Sequence, residues 1–160
     1  MFEEVDTFAV VRNPYERVVS EYYCSAYGYK GPDPDKVETF QNWVTANVTE
    51  VARDIRGHML PQNYYVYDLN GDKVITHVLH YENLSNEFDA LMQEYGISIK
   101  LPSKGDSAPM FHTYDHSKQY QGESGSKHMT VNDLSPENIQ TINKIYARDF
   151  ELFGYNMIQI

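Results

Sequence analysis

The chain has 160 residues and a formal net charge of −10, enough length for one domain with a real core. The acidic balance argues against general nucleic-acid binding, which needs a basic surface or patch. It also makes a long polyanionic glycan an awkward partner, although a small anionic ligand can still bind where a few arginines converge.

Met1 to Asp6 is a short acidic lead-in. Phe8 to Val11 is a short apolar run bounded by polar residues, which predicts a strand covered on both faces. A helix is predicted to follow to about Tyr27. Asn13 suits its N-cap, Pro14 its first position, and Glu16 the acidic place of a capping box. Val18, Val19, Tyr22 and Tyr23 recur at helical spacing. Cys24 lies on that apolar side, where a small core residue is expected; as the only cysteine it excludes an intrachain disulfide.

Gly28 to Lys36 holds glycines and prolines and reads as a loop. Val37 to about Asn47 predicts a helix with Phe40, Trp43 and Val44 on one face, and Val48 to Ile55 could continue it. The stretch from Gly57 to Gln62 opens a loop. Tyr64–Asp68, Asn70-Gly71-Asp72 and Lys73–Leu79 read as strand, turn, strand, because Asn-Gly between apolar runs is a hairpin signal. Val74, Ile75, Val78 and Leu79 are dense enough to form a buried sheet strand instead. A helix is predicted from about Ser85 to Tyr95, stopped by Gly96.

Lys100 to about Asp133 is polar and rich in Ser, Gly, His and Tyr. It predicts a long loop, mobile without ligand. Ser135 and Pro136 start a last helix with Ile139, Ile142, Ile145 and Tyr146 as its stripe, and Asp149 to Tyr155 closes the fold. Residues 1–160 thus read as one domain. No apolar run reaches the length of a membrane span and no signal peptide is evident, so a cytoplasmic location with no membrane partner is the default expectation.

The chemistry concentrates at the first turn. Arg12 falls at the strand's C-terminal end, beside a helix N-terminus, and Arg17 and Ser20 are three apart on that helix. Two guanidinium groups and a hydroxyl there make a candidate phosphate site. Helix arginines more often lie on a solvated face, and Arg17 could equally pair with Glu16 or Glu21. His112, His116 and His128 lack the spacing of a closed zinc site, so no metal is expected.

The string Arg12-Asn13-Pro14-x-x-Arg17-x-x-Ser20-x-Tyr22 resembles the 3′-phosphate-binding motif of sulfotransferases. The closest flavour is the carbohydrate type, which includes the heparan sulfate 2-O and chondroitin 4-O enzymes. His58-x-x-Pro61-Gln62, Tyr81-Glu82-Asn83-Leu84 and Asp149-Phe150-x-x-Phe153-Gly154-Tyr155 are similar to later family motifs in order and spacing. The resemblance runs from about Val5 to Tyr155. It implies an α/β fold, a mainly parallel sheet flanked by helices around a P-loop-like sulfotransferase core. It also implies sulfuryl transfer from 3′-phosphoadenosine 5′-phosphosulfate to a hydroxyl on a carbohydrate, leaving adenosine 3′,5′-bisphosphate.

On this reading Arg12 takes the 3′-phosphate by two parallel hydrogen bonds, Ser20 adds its hydroxyl, and Arg17 is a weaker candidate. His58 is the best-placed general base by motif, and Glu82 reads as structural at a strand end. Lys118 and Lys127, the latter within Gly122-x-x-Gly125-x-Lys127, are candidates for a late loop closing over the nucleotide. One departure weighs against catalysis. The family's 5′-phosphosulfate loop and its lysine have no counterpart, since these residues contain no Gly-x-x-x-x-Gly-Lys-like run. An N-terminally truncated or reduced relative is expected, or a non-catalytic nucleotide-binding or interaction module that keeps the fold and the 3′-phosphate pocket. An uncovered edge on the first strand further predicts a homo-oligomer.

Overall fold

A computed structural model describes residues 5–24, 28–48, 57–102 and 128–160. The fold is α/β. Strand β1 (Phe8–Val11) leads into helix α1 (Pro14–Tyr22), followed by α2 (Val37–Asn47) and the single turn α3 (Asn63–Val66). Strand β2 (His77–His80) runs through a 3-10 turn, Tyr81–Asn83, into α4 (Leu84–Glu94). A 3-10 turn at Val131–Asp133 precedes α5 (Pro136–Ile145) and α6 (Ala147–Phe153). The two strands are parallel, with Phe8 opposite His77 and Val11 opposite His80. Helices flank this parallel pair, as the family resemblance implies.

The core forms where α1, α2 and α5 meet. Tyr22, at the end of α1, is fully buried, and its ring centroid lies 5.0 Å from Phe40 and 5.3 Å from Trp43. Its hydroxyl donates to the Pro34 carbonyl at 2.7 Å, so the large ring is buried without stranding its polar tip. Ile142 and Tyr146 of the predicted stripe fill the opposite wall. Truncating a ring packed like Tyr22 costs about 3–5 kcal/mol.

Helix α1 starts as predicted: Asn13 accepts from the Tyr15 N–H at 3.0 Å and Pro14 follows. It ends at Tyr22, short of Tyr27. Gly28 folds back against the helix end, so close that a Cβ there would lie 2.4 Å from the Tyr22 carbonyl oxygen. Only glycine fits, and that return halts the helix. Cys24, in this turn, is half-buried and outside the core clusters, contrary to the expectation of a core residue.

Three further expectations change. First, β1 is covered on one face only. Val11 is buried, but Phe8 and Val10 are 48% and 43% exposed. Second, Tyr64–Asp68 is not a strand. The buried carboxylate of Asp149 accepts the backbone N–H groups of Gln62 and Asn63, at 2.7 and 2.8 Å. Those bonds satisfy the first donors of a helical turn and set α3 in place of a strand. Of the hairpin, one antiparallel bridge remains, Tyr67 with Lys73, around a turn in which Asp68 accepts the Asn70 and Asp72 N–H groups. The following apolar run supplies the parallel strand β2 instead. Third, the end of the polar stretch is anchored rather than loose. Met129 is buried and its N–H donates to the Tyr23 hydroxyl at 2.6 Å. The rest of that stretch from 103 to 127, and the possible continuation of α2 over 49–56, lie outside the described residues.

Candidate functional site

Four sequence segments meet at the C-terminal ends of the two strands, and side-chain hydrogen bonds tie them into a ring. The Gln62 amide clamps the Arg12 backbone from both sides. It accepts the Arg12 N–H and donates to the Arg12 carbonyl, each at 2.8 Å. An amide thus stands in for a neighbouring strand at the residue just beyond β1. Gln62 is itself held by Asp149 through its backbone N–H.

On the other side, Glu82 accepts the Asn13 N–H at 2.7 Å with one oxygen and the Tyr155 hydroxyl at 2.9 Å with the other. Gly154, at φ +72 after α6, reverses the chain so that Tyr155 can reach Glu82. Burial alone would push the Glu82 carboxyl up. The Asn13 N–H, its own backbone, the Tyr155 hydroxyl and the Arg12 charge outweigh that and hold it below the usual value. The Tyr155 hydroxyl is pushed the other way, first by burial and then by donating to Glu82. Glu82 therefore occupies the Asn13 N–H that a capping box would give to Glu16. Glu16 instead turns back to Arg12, with 3.6 Å between them. The sequence reading of Glu82 as structural agrees with this placement.

The ring fixes the backbone at Arg12 and leaves its side chain 27% exposed at the strand end. The guanidinium carbon lies 4.6 Å from the centre of the Tyr81 ring. Ser20 is exposed on α1, and Glu16 lies four residues before it on the same face. Arg12, Glu16 and Ser20 thus follow one accessible strip at the start of α1.

Arg17 is turned away from that strip. It donates to the carbonyls of Leu60 and His58, at 2.6 and 2.5 Å, and so fastens the loop before α3 onto α1. His58 lies in that loop, with Nδ1 3.1 Å from a Glu21 carboxylate oxygen, an ion pair when the imidazole is protonated. Glu21 and His58, with Arg17, Tyr65 and the edge of β1, line a cavity of about 400 Å³. The Arg12 side chain is not part of its wall. The structure therefore places Arg12 beside Glu16 and Tyr81, and places Arg17 with His58 in a separate hollow. Lys118 and Lys127 lie outside the described residues, as do His112 and His116. Among the described residues no group of three or more His, Cys, Asp or Glu is placed to hold a metal ion, and no helix is long and apolar enough to cross a membrane.

Sequence reasoning missed Gln62, Asp149 and Tyr155 as the groups that hold the site, and Tyr81 as the neighbour of Arg12. Each stood inside a noted motif. The signal was that the motifs carry polar residues able to satisfy one another.

The described fold is a parallel strand pair with an arginine just beyond one strand end and a capped helix start beside it. A sequence model of the sulfotransferase family matches residues 2–156, nearly the whole chain. The chain belongs to the sulfotransferase family. No curated protein and no solved structure matches it.

Proposed function

We propose that this chain binds 3′-phosphoadenosine 5′-phosphosulfate, with Arg12 and Ser20 on the 3′-phosphate, and serves sulfuryl transfer to a carbohydrate hydroxyl. The observation that carries the reading is the Arg12 guanidinium, accessible at the end of β1 while its backbone is clamped by Gln62. A fixed backbone lowers the cost of presenting a charged fork to an anion. Family membership supplies the reaction class.

In such a transfer the acceptor oxygen attacks sulfur and the bond from sulfur to the bridging phosphate oxygen breaks. The acceptor proton passes to a base, for which His58 is the candidate, and adenosine 3′,5′-bisphosphate leaves with the charge. Glu21, 3.1 Å from Nδ1, would stabilise the imidazolium that forms when His58 takes the proton. Lys118 and Lys127 are proposed to stabilise the departing phosphate.

A second reading, a nucleotide-binding module without catalysis, is favoured by one feature: these residues contain no Gly-x-x-x-x-Gly-Lys-like run. Preorganised donors at the departing oxygen are worth roughly a hundred- to a thousandfold each, so the difference is measurable. Incubation with donor labelled in its sulfuryl group and a panel of neutral sugars separates the two. Labelled sugar that is lost in His58→Ala, Lys118→Ala or Lys127→Ala supports transfer. Donor binding without labelled sugar supports the module, and no binding contradicts both.

A further inference from the structure

Arg12 and Tyr81 are brought together by the sheet itself. The parallel register pairs Val11 with His80, so the next residues along the two chains are Arg12 and Tyr81. Beyond the strand ends the chains part, α1 beginning at Pro14 and the 3-10 turn at Tyr81. Glu82 prevents them from splaying by accepting the Asn13 N–H. One residue to either side of the Arg12–Tyr81 pair is therefore tied down, and the two side chains meet with 4.6 Å between guanidinium carbon and ring centre. Tyr81 is 53% exposed and none of the core clusters includes it.

A guanidinium is planar, with five N–H donors directed outward in that plane. An aromatic face stabilises the cation without using any of those donors. A carboxylate does the opposite, since it competes with a phosphate for the same N–H groups. Arg12 has neighbours of both kinds: the Tyr81 ring, the Glu16 carboxylate at 3.6 Å, and the charge of Glu82, whose own oxygens are taken by the Asn13 N–H and the Tyr155 hydroxyl.

We propose that Tyr81 is a positioning residue for Arg12: its ring holds the guanidinium at the strand end with its donors turned to an incoming 3′-phosphate. The ring restricts the arginine rotamers before the ligand arrives, so less side-chain entropy is lost on binding. This inference rests on the nucleotide reading above and assigns the discrimination between nucleotides with and without a 3′-phosphate to a pair of residues.

The test is the ratio of affinities for adenosine 3′,5′-bisphosphate and adenosine 5′-monophosphate, measured by calorimetry on the full chain. That ratio isolates what the 3′-phosphate adds, and a general loss of folding or of adenine contacts cancels from it. The expected result is a ratio lowered about three- to tenfold in Tyr81→Ala and Tyr81→Leu, and kept within about twofold in Tyr81→Phe, which retains the ring. In an Arg12→Ala background, Tyr81→Ala should change nothing further. An unchanged ratio in Tyr81→Leu overturns the proposal. So does a loss in Tyr81→Ala that persists undiminished when Arg12 is absent, which would mean that the ring contacts the nucleotide directly. A wild-type chain that binds both nucleotides equally contradicts the parent reading and removes this one with it. A wild-type preference for the bisphosphate with no Tyr81 effect contradicts this inference alone.

Discussion

Replacing Asp149 with asparagine probes the support beneath the candidate site. Asp149 is fully buried and accepts from the Gln62 N–H, the Asn63 N–H and the Asn63 amide, at 2.7, 2.8 and 2.6 Å. Asparagine matches the shape but exchanges one acceptor oxygen for a donor. One of the two backbone N–H groups then faces another N–H. The loss of a hydrogen bond to a charged group, about 1.5–3 kcal/mol, adds to a buried orphaned donor, about 1–3 kcal/mol. We therefore expect a destabilisation of about 2.5–6 kcal/mol. For a chain of this length that is a fall in Tm of roughly 5–24 °C. Urea denaturation followed by circular dichroism should show a lower midpoint with an unchanged slope. Because Gln62 carries the clamp to Arg12, exchange of the Arg12 amide hydrogen should also accelerate. A loss below about 1 kcal/mol would refute the reasoning that Asp149 holds the loop.

Other consequences are as direct. Glu82 has a depressed folded pKa, so its stabilisation is present above its unfolded pKa and lost as pH falls through the folded value. The stability gap between wild type and Glu82→Gln should be about 1 kcal/mol at pH 7 and shrink towards pH 3; a gap independent of pH would contradict this. Glu16 pairs with Arg12 where a phosphate would bind, so Glu16→Gln should tighten adenosine 3′,5′-bisphosphate binding by about two- to fivefold, and a weaker complex would count against that geometry. The Thr7 carbonyl accepts from His77, so by alternation the backbone groups of Phe8 and Val10 point away from β2. We propose that this edge mediates self-association, and light scattering should report a dimer or larger; a clean monomer would mean that the edge is covered in solution.

Local elements were legible where chain chemistry decides them alone. Asn13-Pro14 and Ser135-Pro136 start helices in the structure, and Ile139, Ile142 and Tyr146 are the buried stripe. What failed depended on partners remote in sequence. Nothing local to Tyr64–Asp68 reveals that Asp149 will capture the preceding N–H groups and set a helical turn. Likewise the capping-box spacing of Glu16 is sound, but Glu82 reaches the same N–H. The phosphate strip was legible in part. Arg12 stands part-exposed beyond the strand end and Ser20 is exposed on α1, whereas Arg17, three residues from Ser20, donates to the carbonyls of His58 and Leu60.

The central claim is that Arg12, held at the end of β1, receives the 3′-phosphate. Calorimetry with adenosine 3′,5′-bisphosphate on wild type and Arg12→Ala tests it most directly. A hydrogen bond to a charged group is worth about 1.5–3 kcal/mol, so affinity should fall by roughly ten- to a hundredfold. Binding of adenosine 5′-monophosphate should be little changed. Equal affinity of the two proteins for the bisphosphate would contradict the account.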